Sequence, residues 1–215
     1  LNIDFEIICL DDGSQHDEII LANREINKLT NVLFEELAKN VGRSAIRNKL
    51  TAKAKYNWLL FLDADVIPIH DTFVAKYLEI LQKRPDVKVL YGGRKHLANG
   101  NNNLLRWKYG FYQEDRSQKE RNKKPYLSII TNNLLVNRSI ARQIKFDENL
   151  KKYGHEDTLF SYHLKLKKIK VLHVNNPVYH KEIDSNQDFI SKTELGLQNL
   201  SLLCKNGSLP YNYTK

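Results

Sequence analysis

Three pairs of carboxylates stand where the chain changes character. Asp63 and Asp65 follow an unbroken apolar run, Trp58, Leu59, Leu60, Phe61 and Leu62. Such a run reads as a strand covered on both faces, and the ligand crevice of an open α/β sheet lies outside the carboxyl ends of its strands. Two like charges at i and i+2 repel unless a cation lies beside them, and hard divalent cations take oxygen ligands. The pair therefore reads as a metal and phosphate site, against the alternative of a solvated turn. Asp11 and Asp12 end a second apolar run, at a Gly13, Ser14 turn. Glu156 and Asp157 follow Tyr153, Gly154 and His155 and open a helical pattern. Acids in a first helical turn are favoured by the macrodipole in any protein, so this third pair gains meaning only from the other two.

The elements that must position these acids alternate between strand and helix. Residues 5–10 form a first strand, 17–29 a helix, 30–34 a short strand, 43–54 a helix rich in Ala and Lys, and 58–62 the strand before Asp63. Asp71 can cap a helix with Phe73, Val74, Tyr77, Leu78 and Leu81 on one face, and Pro85 ends it. Strands over 87–91, 129–136 and 169–174 and helices after Ser139, from 156 and over 193–203 complete the pattern of parallel βαβ units. Between them, residues 97–126 lose periodicity. They hold an Asn-rich stretch at 99–103, the aromatic residues Trp107, Tyr109, Phe111 and Tyr112, and a basic run at 119–124. A segment that long without clear structure marks a functional loop or lid.

A chain of 215 residues suits one large α/β domain. Its formal charge of +9 favours anionic partners without choosing among them. No apolar run approaches the roughly 18–20 residues that span a bilayer, and no signal peptide opens the chain, so a cytoplasmic location is expected. Cys9 and Cys204 form no C-x-x-C or Cys/His cluster, which argues against disulfide and zinc chemistry. Met is absent, and the chain enters a core strand almost at once. A native segment ahead of Leu1 is expected.

Taken in order, Asp11-Asp12-Gly13-Ser14, the stretch from Asn40 to Asn48, Trp58 to Asp65, and Gly154-His155-Glu156-Asp157 resemble the inverting glycosyltransferases of family 2, of the bacterial polysaccharide type. The resemblance runs from Phe5 to about Leu203. It implies the GT-A fold, an α/β architecture with a mostly parallel central sheet flanked by helices, and transfer of sugar from a nucleotide-diphospho-sugar, most often a UDP-sugar. The acceptor would be a saccharide or a lipid-linked hydroxyl. Carried onto this chain, Asp11 or Asp12 contacts the base or ribose and Ser14 shapes the turn. Arg43 meets the nucleotide phosphates, and Arg47 with Asn48 braces the pocket. Asp63 and Asp65 form the D-x-D pair that binds donor and Mg²⁺ or Mn²⁺, and His180 adds a metal or diphosphate contact. Asp157, beside Glu156, is the catalytic base. Relatives begin with a strand carrying a Pro-x-Tyr-Asn type motif, and nothing before Phe5 supplies it, so a central strand of the sheet is expected to be missing.

The chemistry requires these residue types. An acceptor hydroxyl needs a positioned base as its bond to the anomeric carbon forms, and a divalent cation stabilises the diphosphate that leaves. By its length and its place between the metal and base motifs, segment 97–126 shapes the acceptor site through Trp107, with Asn132 and Asn133. The main rival is nucleic-acid binding by a basic, aromatic surface, which leaves six acids unexplained. Nucleotidyl transfer is weakened by the lack of a Gly-rich phosphate loop, and a donor-binding module without turnover by Glu156-Asp157. Lys165, Lys167, Lys168 and Lys170, with the 119–124 run, form either a solvated basic face or a peripheral contact with an anionic membrane.

Overall fold

The computed structural model describes residues 3–97, 103–181 and 184–213. The expected Asn-rich stretch lies almost wholly outside them. The chain forms strand β1 (Ile7–Asp11), helix α1 (Asp17–Arg24) with a 3₁₀ turn after it, β2 (Val32–Glu36), α2 (Arg43–Lys53), β3 (Trp58–Leu62), the short β4 (Val66–Pro68), α3 (Phe73–Lys83), β5 (Val89–Tyr91) and β6 (Arg94–His96). Then come α4 (Leu105–Tyr109), a π turn at Gly110–Glu114, α5 (Gln118–Lys123), β7 (Asn133–Asn137), α6 (Arg138–Gln143), α7 (Glu156–Leu166), β8 (Val171–His173), β9 (Val178–His180) and α8 (Asn186–Lys205). Residues 103–126 of the segment expected to lack structure thus form helical turns. A capping box between Ser117 and Glu120 starts α5. The final helix is also longer than expected and is capped by Ser185.

The central sheet has the order β3-β7-β5-β8, and β7 runs antiparallel to both β3 and β5, while β5 and β8 are parallel. The α/β fold with a mostly parallel sheet stands, since β3, β5 and β8 run one way and β7 alone is reversed. The sequence pattern did not mark that reversal, because Leu134, Leu135 and Val136 of β7 are all buried. A strand covered on both faces has the same apolar pattern whichever way it runs.

Alternation along β7 divides the core. Leu134 and Val136 join Phe61, Val89, Tyr91, Phe146, Phe160 and Leu164, on the side of α7. Leu135 joins Phe73, Tyr77, Leu90 and Val178, on the side of α3. Phe146 and Phe160 stack at 4.6 Å between centroids. A third cluster, Leu150, Leu159, Leu203, Leu209 and Tyr213, fastens α8 to α7. Strands β1 and β2 pair in parallel as a separate sheet, and β4, β9 and β6 form a third. Among the described residues β1 and β3 each keep one edge without a strand partner. Near that edge a groove of about 700 Å³ is lined by Ile3, Trp58 and the α3 residues Ala75, Leu78 and Leu81.

At its rim the sheet is closed by Asn133, which is fully buried. Its carboxamide accepts from the Tyr77 hydroxyl at 2.7 Å and donates to the carbonyls of Gly93 at 2.8 Å and Asn176 at 2.9 Å. Replacing Asn133 by Leu removes three buried hydrogen bonds: the Gly93 carbonyl keeps the Val178 N–H, but the Tyr77 hydroxyl is left with only a 3.5 Å contact to the Asn133 carbonyl and the Asn176 carbonyl loses its side-chain partner. Urea unfolding of Asn133→Leu is expected to show a loss of at least ~2 kcal/mol with an unchanged m-value, each unmet group costing about 1–3 kcal/mol; a stability equal to that of the parent would contradict this account.

Candidate active site

The chain direction brings the acids to one rim. Leu62 pairs with Asn133, so Asp63 leaves β3 beside Asn132 at the start of β7. Helix α7 begins there with Glu156 and Asp157, after Gly154 (φ 91°) and His155 (φ 67°), two left-handed residues in a row that turn the chain into the helix. Helix α2 enters from the other side after Gly42 (φ 88°), carrying Arg43 and Arg47 one turn apart.

Arg47 joins these segments. It is buried, and its guanidinium lies 2.9 Å from Glu156 Oε1, 3.4 Å from Asp63 Oδ1 and 3.6 Å from Asp157 Oδ1. Arg43 donates to the same Glu156 oxygen at 2.6 Å and comes within 3.7 Å of Asp63 Oδ2, but its side chain is 42% exposed and lies over the Tyr153 ring. Burial works against the Glu156 charge, yet the two arginines outweigh it and hold the carboxyl below its ordinary range. Asp157 differs. Burial raises its pKa, opposed chiefly by Arg47 and reinforced by the neighbouring Glu156 charge. Its two oxygens accept from the Thr131 hydroxyl at 2.9 Å and the Thr131 N–H at 3.2 Å, which fixes the carboxylate's direction.

The two acids of the Asp-Ala-Asp turn part company. Asp63 faces the arginines, whereas Asp65 Oδ2 lies 3.1 Å from His180 Nε2, and this hydrogen bond keeps the Asp65 carboxyl below its usual range. Asp65 Oδ1 is buried and has no partner among the described residues. A carboxylate with a spare oxygen beside an imidazole suits Mn²⁺ or Mg²⁺, although among the described residues no three His, Cys, Asp or Glu gather as a metal cluster. The remaining positions would fall to ligand oxygens and water.

The nucleotide-side acids are committed within the fold. Asp12 accepts from the N–H groups of Val41 at 2.7 Å and Gly42 at 3.0 Å, which ties the β1 turn to the start of α2. Asp11 accepts from the N–H and hydroxyl of Ser14, and these bonds lower its pKa. Gly13 (φ 78°) presses against this junction, since a Cβ there would stand 2.6 Å from Asn40 N. Asn48 bonds Phe146 and Glu148 and so braces α2.

Trp107 is not on the surface expected of an acceptor platform. It is buried, stacked on Phe111 at 4.8 Å, and its indole N–H donates to the Leu97 carbonyl at 2.7 Å. An aromatic residue at helical spacing was as compatible with a core as with a ligand. Tyr109, Phe111 and Tyr112 are exposed, and the two tyrosines line a cavity of about 480 Å³ beside α8. Asn133 is consumed by the fold as described above. Asn132, equally buried, has neither amide atom partnered among the described residues, and alternation places it on the α7 side with Leu134. Sequence reading missed Thr131, Tyr153 and Arg94, Arg106 and Glu114, whose ion pairs form only when β6 meets the π turn. The exposed lysines 165, 167 and 168 lie at the far end of α7, roughly 12–16 Å along the helix from Asp157 at 1.5 Å per residue. No helix among the described residues is long and apolar enough to cross a membrane.

A mixed sheet with this rim of acids is the GT-A glycosyltransferase fold, and solved structures share it. Staphylococcus aureus TarS (residues 1–349) aligns over 93% of this chain and 56% of its own, with a TM-score of 0.63 and 19% identity. GalNAc-T7 with UDP, GalNAc and Mn²⁺ aligns over 98% of this chain and 46% of its own, with a TM-score of 0.64 and 16% identity. The chain belongs to glycosyl transferase family 2, whose family model matches residues 1–144. Chondroitin synthase of Escherichia coli is 34% identical over 106 residues, 47% of this chain and 15% of that protein. The chain therefore spans a small part of that relative and about half of the structures.

The arginine pair should separate by burial. Arg47→Ala leaves buried Glu156 without one of its partners and is expected to cost about 3–5 kcal/mol in urea unfolding, whereas Arg43→Ala, at a half-exposed position, is expected to cost clearly less. Equal losses would show that Arg47 is not the anchoring cation.

Proposed function

We propose that this domain transfers a glycosyl group, with inversion, from a nucleotide-diphospho-sugar to a hydroxyl of a saccharide or lipid-linked acceptor. The observation that carries the reading is Arg47, which holds Asp63 from the Asp-Ala-Asp turn and Asp157 from α7 around one guanidinium. Acids almost a hundred residues apart thereby share one rim of the sheet. UDP-sugars are the favoured donors: one TarS structure contains UDP-GlcNAc and the GalNAc-T7 structure contains UDP, although a third similar structure, a mannosyltransferase of Pyrobaculum calidifontis, holds GDP-Man and Mn²⁺.

Asp157 is the base. Held by Thr131, it takes the proton of the acceptor hydroxyl as the new bond to the anomeric carbon forms and the bond to the diphosphate oxygen breaks. Its raised pKa suits a base better than the lowered one of Glu156, whose charge is taken up by two arginines and serves to hold them. Arg43, the exposed member of that pair, is placed to meet the diphosphate. Asp65 and His180 would hold Mg²⁺ or Mn²⁺, which stabilises the charge gathering on the departing diphosphate. Asp11, Asp12 and Ser14 act on the nucleotide by shaping its pocket. Tyr109 and Tyr112 replace Trp107 as the aromatic surface for the acceptor, and Asn132 offers the amide for a sugar hydroxyl.

Asp157→Asn is expected to lower kcat by about 10²–10⁴-fold, while calorimetry shows UDP binding with Mn²⁺ intact; retained turnover would place the base elsewhere. Burial favours the neutral acid, so the base form appears only as pH rises past the elevated pKa. The acidic limb of kcat in the parent enzyme should accordingly lie above the ordinary aspartate range, and a limb at ordinary values would count against Asp157.

A further inference from the structure

We propose that His96 and Asp115 are positioning residues for the Asp65–His180 pair, with Asp115 fixing the His96 ring and that ring fixing the orientation of His180. The inference rests on reading Asp65 and His180 as a divalent-cation site. Its starting point is the three-stranded sheet β4-β9-β6, in which His96 stands opposite His180 in register and His180 stands opposite Val66, the residue after Asp65. The two imidazoles lie 5.4 Å apart between centroids, at 45°.

His96 is clamped. Asp115 accepts from its backbone N–H at 2.8 Å with one oxygen and meets ring Nδ1 at 2.8 Å with the other, so a single carboxylate holds both main chain and side chain. The π turn at Gly110–Glu114 delivers Asp115, and the same turn brings Gly110 against the ring. A Cβ on Gly110 would stand 2.2 Å from His96 Cε1. The His96 side chain is wholly buried, and Glu114 Oε2, itself held by Arg94 and Arg106, is 4.0 Å from its Nε2.

The unpartnered atoms give this clamp its purpose. His96 Nε2 and His180 Nδ1 are both buried, and among the described residues neither has a hydrogen-bond partner. A ring nitrogen facing a carboxylate carries the hydrogen, so His96 Nδ1–H donates to Asp115 and Nε2 presents a lone pair. A histidine that binds a cation through Nε2 donates its Nδ1–H to a further acceptor, which fixes the ring's direction. For His180 the neighbouring ring would supply that acceptor through one buried water, since the two nitrogens make no direct bond. The series Asp115, His96, His180 and Asp65 thereby connects the segment after β6 to the Asp-Ala-Asp turn.

The test is Mn²⁺ binding in the presence of UDP, read by calorimetry on the whole chain. His96→Phe keeps an aromatic ring and removes both nitrogens; Asp115→Asn keeps the volume and disturbs the clamp. Both are expected to bind Mn²⁺ about 10–100-fold more weakly, with the thermal midpoint of the metal-free proteins little changed. Affinities equal to the parent's would overturn the proposal, as would loss of the fold in both variants, which would make the clamp simply part of the core. Asp65→Ala is the control: if it binds Mn²⁺ as the parent does, or if the parent binds none, the cation site itself is misplaced and the proposal falls with it.

Discussion

One buried guanidinium organises this molecule. Arg47 reaches from α2 to the first turn of α7 and to the turn after β3, and no other side chain touches all three carboxylates that gather there among the described residues. Glu156, Asp157 and Asp63 are too close to one another to stand without a cation, since charges removed from water repel more strongly as the local dielectric falls. A buried cation among them is costly in its turn unless it is fully paired. The arrangement is stable only as a set. It fixes where the sheet rim, α2 and α7 meet.

From that set the division of labour follows. Glu156 spends its charge on Arg43 and Arg47, so its neighbour Asp157 experiences burial with less relief and drifts toward neutrality. Two adjacent acids on one helical turn thus acquire opposite shifts, the pattern by which a protein separates a structural carboxylate from a reactive one. The Asp-Ala-Asp turn repeats the principle. Asp63 faces the arginines and Asp65 faces His180, because the turn at Ala64 and Asp65 breaks the strand alternation that would otherwise send residues i and i+2 to one face.

Much of this was legible in the sequence because it depends on local pattern. Apolar runs ending in acids located β1, β3 and their rim, and helical periodicity located α2, α3 and α7. What was hidden depends on partners distant in the chain. Nothing local distinguishes β7 running antiparallel from β7 running parallel, since Leu134 to Val136 are buried on both faces. Trp107 looked like an acceptor contact; Phe111, four residues on, is its helical neighbour, but the Leu97 carbonyl that takes its indole N–H comes near only when α4 folds back on β6. Asp12 looked like a ligand contact because its actual partners, the N–H groups of Val41 and Gly42, carry no side-chain signature. Asn132 and Asn133 are adjacent and identical in type, yet strand alternation sends one into a bonded network and leaves the other unpartnered.

The open edges of β1 and β3 bear on how this polypeptide behaves in a test tube. A strand with one bare side offers a row of amides and carbonyls to any extended peptide, and Phe5, Ile7 and Leu62 are exposed near these edges. Such edges favour strand-to-strand association between copies, which grows with concentration.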